Sequence, residues 1–120
     1  MLPHQHDEKA EQLLRHIPDA ADFTLPANLF GQLGDDTRLR LFWLLCHCEA
    51  CVTNLSAMMQ MSSPALSHHL RLLKDAGLIV SHRCGKEVHY QAAETPEAHA
   101  LHDAMEALMA ITCPMADRHA

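Results

Sequence analysis

Apolar residues recur at helical spacing through the middle of the chain, and the clearest stripe is Leu66, Leu70 and Leu73, set four and three apart. A helix through them turns Pro64, Ser67, His68, Arg71 and Asp75 outward, so its exposed face is polar and partly cationic. Ser62 or Ser63 suits the N-cap, Pro64 fits the first turn, and Ala76-Gly77-Leu78 ends the helix with glycine at a C-cap position. His69 lies at the flank of the stripe and is expected to pack or cap. Just upstream, Val52 to Met59 predicts a short helix on Leu55, Met58 and Met59, with the methionines filling the core rather than binding a soft metal. Two short helices joined this tightly outline a helix-turn-helix.

The flanking patterns extend this unit. Residues 5–16 predict a helix that breaks at Pro18, and a second helix is expected from Pro26 through Leu29, Phe30 and Leu33 to Gly34. Asp35 or Asp36 can cap a third, with Leu39, Phe42, Trp43 and Leu44 apolar and Arg38 and Arg40 pointing outward. From Leu78 to Ala92 the period changes to that of a hairpin, with its turn at Arg83-Cys84-Gly85-Lys86. Thr95-Pro96-Glu97 starts a last helix whose seam, Ala98, Leu101, Met105, Leu108 and Thr112, suits a partner helix, including its own copy. The expected fold is mainly α with a β-hairpin wing. It divides into an N-terminal helical arm (1–24), a winged helix-turn-helix domain with a C-terminal dimerisation helix (25–112) and a short tail (113–120).

Charge and composition narrow the function. The 120 residues carry a formal charge of −6, but the stretch 62–90 holds Arg71, Lys74, Arg83 and Lys86 against Asp75 and Glu87, with His68, His69, His82 and His89 interleaved. DNA affinity depends on the side chains that line phosphates, so a local basic island suffices. No apolar run approaches the ~20 residues of a membrane span, and the start MLPHQHDEK lacks the basic-then-apolar order of a secretory signal, so a cytoplasmic protein is expected. No glycine-rich phosphate loop, nucleophile elbow or HExxH motif points to an enzyme. Of five cysteines, Cys46, Cys48 and Cys51 fall within six residues, a density that suggests reduced thiols for metal or redox chemistry.

Three segments together resemble the ArsR/SmtB group of bacterial metal- and stress-sensing repressors: Leu33-Gly34-Asp35-Asp36-Thr37-Arg38-Leu39-Arg40-Leu41, Ser63-Pro64-Ala65-Leu66-Ser67-His68-His69-Leu70-Arg71-Leu72-Leu73, and Ala76-Gly77-Leu78-Ile79 followed by Tyr90. The resemblance covers roughly 25–112. It implies a homodimer joined through helices of both termini, binding double-stranded operator DNA without a required cofactor and released by an inducer. The family's DNA contacts carry over onto Ser63, Ser67, His68 and Arg71 of the recognition helix and onto Arg83 and Lys86 of the wing.

The inducer site is where this sequence departs from the family. Some members hold a Cys-x-Cys pair in an ELCVCDL-like segment; here Glu49-Ala50-Cys51-Val52-Thr53-Asn54-Leu55 keeps the first cysteine and has Thr53 for the second. Cys48 and Cys51 supply a Cys-x-x-Cys instead, a common spacing for two thiolates on one ion such as zinc or cadmium. Cys113, or His4, His6 or His16 from the other subunit's arm, is expected to complete the set. On the last helix His99, His102, Asp103 and Glu106 are weaker candidates; they do not reproduce the family's spacing and read as a solvated face. The alternative is a thiol-based redox or persulfide sensor using Cys46 and Cys113, with Cys84, flanked by Arg83 and Gly85-Lys86, as a third candidate.

Overall fold

The computed structural model describes residues 2–4 and 8–112, the side chains of 110–112 excepted. Helix α1 (Glu8–Leu14) is followed by a 3-10 turn (Ala20–Phe23), α2 (Thr24–Gln32), α3 (Asp36–His47), β1 (Ala50–Cys51), α4 (Val52–Met59), α5 (Ser63–Asp75), β2 (Ile79–Cys84), β3 (Glu87–Ala92) and α6 (Pro96–Thr112). Asp35 caps α3 by accepting from the Arg38 N–H at 2.9 Å, and Ser62 caps α5 by accepting from Ala65 at 3.3 Å. Thr95 Oγ1 does the same for α6, accepting from Ala98 at 3.2 Å. Helix α2 begins two residues before the expected Pro26. Proline there falls within the first turn, where the backbone N–H groups have no helical acceptor, so its missing donor costs no bond.

Helices α3, α4 and α5 and the start of the wing close the centre of one core. Leu66, Leu70 and Leu73 of α5 are at most 1% exposed and meet Leu41, Phe42 and Leu45 of α3, Leu55 and Met59 of α4, and Leu78 and Ile79 at the wing. The expected apolar face of α3 is shifted: Leu41 and Leu45 are buried, whereas Leu39, Trp43 and Leu44 are half-buried. The near-continuous apolar run Leu41 to Cys46 hides which stripe faces inward, and packing decides it. Arg38 is also not a plain outward charge. Its Nε donates to the Gln32 carbonyl at 2.7 Å and its Nη1 lies 3.4 Å from His69 Nδ1, which makes His69 a packed contact between α3 and α5. Met59 is core, as expected of the methionines, but Met58 is exposed.

The wing is larger than a hairpin. Strand β1 pairs with β3 (Ala50↔Tyr90, Cys51↔His89), giving an antiparallel sheet ordered β1-β3-β2. Two residues are too few to show a period. The β2–β3 loop is Gly85-Lys86 alone, since Cys84 already pairs with Glu87. Gly85 has φ +68°, the left-handed value that tight hairpins favour. The α6 seam also needs correction: Ala98, Leu101 and Met105 pack into this chain's own core, while Leu108 stays 65% exposed. None of the described helices is long and apolar enough to cross a membrane.

Candidate nucleic-acid interface and metal centre

The helix-turn-helix presents α5 through a short connection, Gln60-Met61-Ser62, in which Gln60 takes a left-handed φ of 54°. With its leucine stripe sunk in the core, α5 leaves Ser63, Ser67, His68 and Arg71 exposed on the far side. Ser63 Oγ lies 3.2 Å from Ser56 Oγ, linking the two helices at their junction. Lys74 Nζ donates to Ser81 Oγ at 2.7 Å and so ties the end of α5 to β2. Arg83 and Lys86 are exposed beside the turn that ends the wing, with Cys84 between them. The six expected DNA contacts thus all face solvent on α5 and the wing. Hydroxyl and imidazole groups can read base edges, and the cations can neutralise phosphate.

The cysteines behave differently from one another. Cys48 is half-buried and its thiol donates to the Leu44 carbonyl at 3.3 Å, while Cys51 is buried in β1. Burial, with the charge of Glu106 adding to it, pushes the Cys46 thiol up to about 12. Burial thus disfavours the thiolate that a redox nucleophile needs. Cys84 is exposed. His4 and His16 are exposed on the arm, and Cys113 and His6 lie outside the described residues.

A metal-like arrangement occurs elsewhere. His47 ends α3, and its Nε2 lies 3.1 Å from Glu106 Oε1 and 3.2 Å from His102 Nε2 of α6; His102 Nε2 is 3.0 Å from the same Glu106 oxygen. The three side chains are between 24% and 32% exposed. Zinc bonds of 2.0–2.1 Å in a tetrahedron separate neighbouring ligands by about 3.3 Å, close to the spacing of this triangle. Partial burial pushes the Glu106 carboxyl up, but hydrogen bonds from His47 and His102 and their charges outweigh it and hold it below the usual carboxylate value. In the tautomers that donate from both Nε2 atoms to this oxygen, the two N–H groups also crowd each other at 3.2 Å, a conflict that a cation held by the two bare nitrogens removes. The Trp43 ring packs against His47 with centroids 4.3 Å apart.

Among the described residues, the groups of three donors within 4.8 Å of one another are this one and Glu49, His82 and His89; neither contains a cysteine. His102 and Glu106 therefore turn toward α3, whereas His99, paired with Glu94 at 3.1 Å, and exposed Asp103 keep the character of a solvated face. His47 was not anticipated. The i, i+4 spacing of His102 and Glu106 is visible in the sequence, but nothing local links them to a histidine 55 residues away.

Comparison with known proteins bears on both surfaces. The bacterial regulatory protein, arsR family, profile matches residues 35–81. The arsenical resistance operon repressor of Escherichia coli is 43% identical over 70 residues, an alignment spanning 58% of this chain and 60% of that protein. The transcriptional repressor SmtB homolog of Synechocystis is 35% identical over 92 residues, 77% of this chain and 70% of that one. Among solved structures, the AntR antimony-specific transcriptional repressor superposes with a TM-score of 0.70 at 30% identity, covering 80% of this chain and 86% of that chain.

Proposed function

Because the chain belongs to the ArsR family of bacterial regulatory proteins, we propose that it is a cytoplasmic transcriptional repressor that leaves its operator when a zinc-type metal ion binds. The inducing ion would be held by His47, His102 and Glu106. The convergence of these three donors from α3 and α6 carries the reading. Two imidazole nitrogens and a carboxylate suit zinc, whereas arsenic and antimony, for which two of the relatives are named, favour thiolates.

Operator binding would use α5 in the major groove and the wing along the backbone, doubled in a homodimer so that two α5 helices lie about one helical turn apart. Exposed Leu13, Leu14, Phe23, Leu25, Phe30 and Leu108, all on terminal elements, support a dimer layer there. Ion binding would clamp the end of α3 to α6. Since His47 is followed within three residues by β1 and then α4, the clamp bears on the orientation of the helix-turn-helix. Thiol sensing is the weaker reading, because among the described cysteines Cys51 is buried, Cys46 and Cys48 are half-buried and Cys84 alone is exposed.

Fluorescence anisotropy on the chain's own upstream DNA tests this, with zinc, cadmium, arsenite and a persulfide donor as titrants. Zinc is expected to release the wild type, and His47→Ala/His102→Ala to require at least about tenfold more zinc. Arg71→Ala is expected to lower the salt slope by about one. Loss of the zinc response in Cys48→Ser/Cys51→Ser, with the histidine variant unaffected, would move the sensor to the thiolates, and release by persulfide alone would move it to redox chemistry. Absence of DNA binding would end the repressor reading.

A further inference from the structure

We infer that the root of the wing is a second metal site, in which Glu49, His82 and His89 take a zinc-type divalent cation that strengthens DNA binding instead of relieving it. The sheet register assembles it. Cys51, His89 and His82 stand opposite one another across β1, β3 and β2, so their side chains share one face of the sheet. The two imidazoles lie with centroids 5.9 Å apart. Glu49, two residues before Cys51, reaches both: one carboxylate oxygen contacts His82 Nε2 and the other is 3.7 Å from His89 Nδ1.

His89 carries the most specific sign. Its Nδ1 is buried without a hydrogen-bond partner and faces Glu49, while Nε2 on the other side of the ring lies 4.0 Å from the Glu87 carboxylate. Metal-bound imidazoles keep the inner nitrogen for the ion and turn the outer one toward a carboxylate, and His89 is oriented in this sense, its outer contact being longer than a hydrogen bond. Two nitrogens and a carboxylate select a borderline ion of the zinc type over calcium or magnesium, which prefer all-oxygen sets. Three protein donors leave a position for water.

The electrostatic sign follows from the charges on the sheet. Without an ion, Glu49 and Glu87 put two negative charges at His82 and His89, on the wing that also carries Arg83 and Lys86, the cations offered to phosphate. A divalent cation on two neutral imidazoles cancels the charge of both carboxylates, removing a repulsion that opposes phosphate contact. This effect on DNA rests on the operator-binding reading; the ion site itself does not.

The experiment is an equilibrium zinc titration of the full chain, repeated with cobalt(II) for its four-coordinate visible bands. Two equivalents are expected for the wild type and one for His82→Ala/His89→Ala. Glu49→Gln, which keeps the shape of the side chain and removes its charge, is expected to weaken one equivalent at least about tenfold at an unchanged melting temperature. In a His47→Ala/His102→Ala background zinc is then expected to raise DNA affinity severalfold and steepen the salt slope by about one, and Glu49→Gln to abolish that rise. Wild-type zinc binding retained in both wing variants overturns the site, and zinc weakening DNA binding in the His47→Ala/His102→Ala background overturns its sign. A single equivalent lost only in the wing variants would uphold this site while removing the α3–α6 sensor, so the two readings fail separately.

Discussion

The half from Asp36 to Ala93, which carries the candidate DNA-facing surface, and the terminal half, residues 8–32 with α6, are built on opposite plans. In the first, the large apolar side chains are buried or half-buried apart from Met58 and Val80, each 42% exposed. In the second, Leu13, Ile17, Phe23, Leu25, Phe30 and Leu108 are each between 54% and 65% exposed. The first half, its core closed with the help of Leu29 of α2 and Ala98, Leu101 and Met105 of α6, can present a rigid polar surface. The other leaves contiguous elements unsatisfied, as expected of a layer completed by a second copy. The two candidate metal centres divide along the same line: His47, His102 and Glu106 join the halves, whereas Glu49, His82 and His89 lie within the first.

The largest effect should come from opening the closed half. Leu70→Ala removes a side chain 1% exposed at the centre of the core and should cost about 2–5 kcal/mol, read as a lower urea midpoint with the m-value retained. A loss under about 1 kcal/mol would mean that the core is less closed than its burial indicates.

A smaller effect, and a different observable, is expected from the open half. Phe30→Asp places a charge on a residue 64% exposed in the single chain, so the fold should persist while dimerisation weakens by about 1.5–3 kcal/mol per side chain removed from the interface. Sedimentation at several concentrations reads this directly. An unchanged association constant would remove α2 from the partner layer.

The smallest concerns the cap that starts the first half. The backbone hydrogen bond from Arg38 holds the Asp35 carboxyl below the ordinary 3.8, against a desolvation that pushes it up. A depressed carboxylate contributes stability that is full above the unfolded value and lost as pH falls through the folded one. The melting temperature of wild type over Asp35→Asn should therefore be higher at pH 7 and converge below about pH 4. A gap that persists in acid would assign the difference to shape, not charge.

Much of the fold was legible because its signals are local. The bounds of α4, a cap at Ser62 or Ser63 and one at Asp35 or Asp36, the leucine stripe of α5 and the glycine at the wing turn each depend on residues within a few positions of one another, and the structure has them there, with Ser62 and Asp35 as the caps. The outward face of α5 follows from the same period, so the DNA-contact candidates could be named without coordinates. The thiol-centred sensor was less secure, since a Cys-x-x-Cys spacing states proximity along the chain and nothing about burial; Cys51 is enclosed in β1 and the Cys48 thiol is turned to Leu44.

What the sequence by itself determined is the alternation of helix and strand, the polar face of α5 and the identity of the family, because period, capping and motif spacing are properties of neighbouring residues. The tertiary structure alone decided which stripe of α3 is buried, that β1 completes the sheet, and that His47 meets a pair on α6 while Glu49 meets two histidines across the wing. Those outcomes depend on bringing together side chains as far as 59 residues apart, and only the closing of a shared core sets such distances.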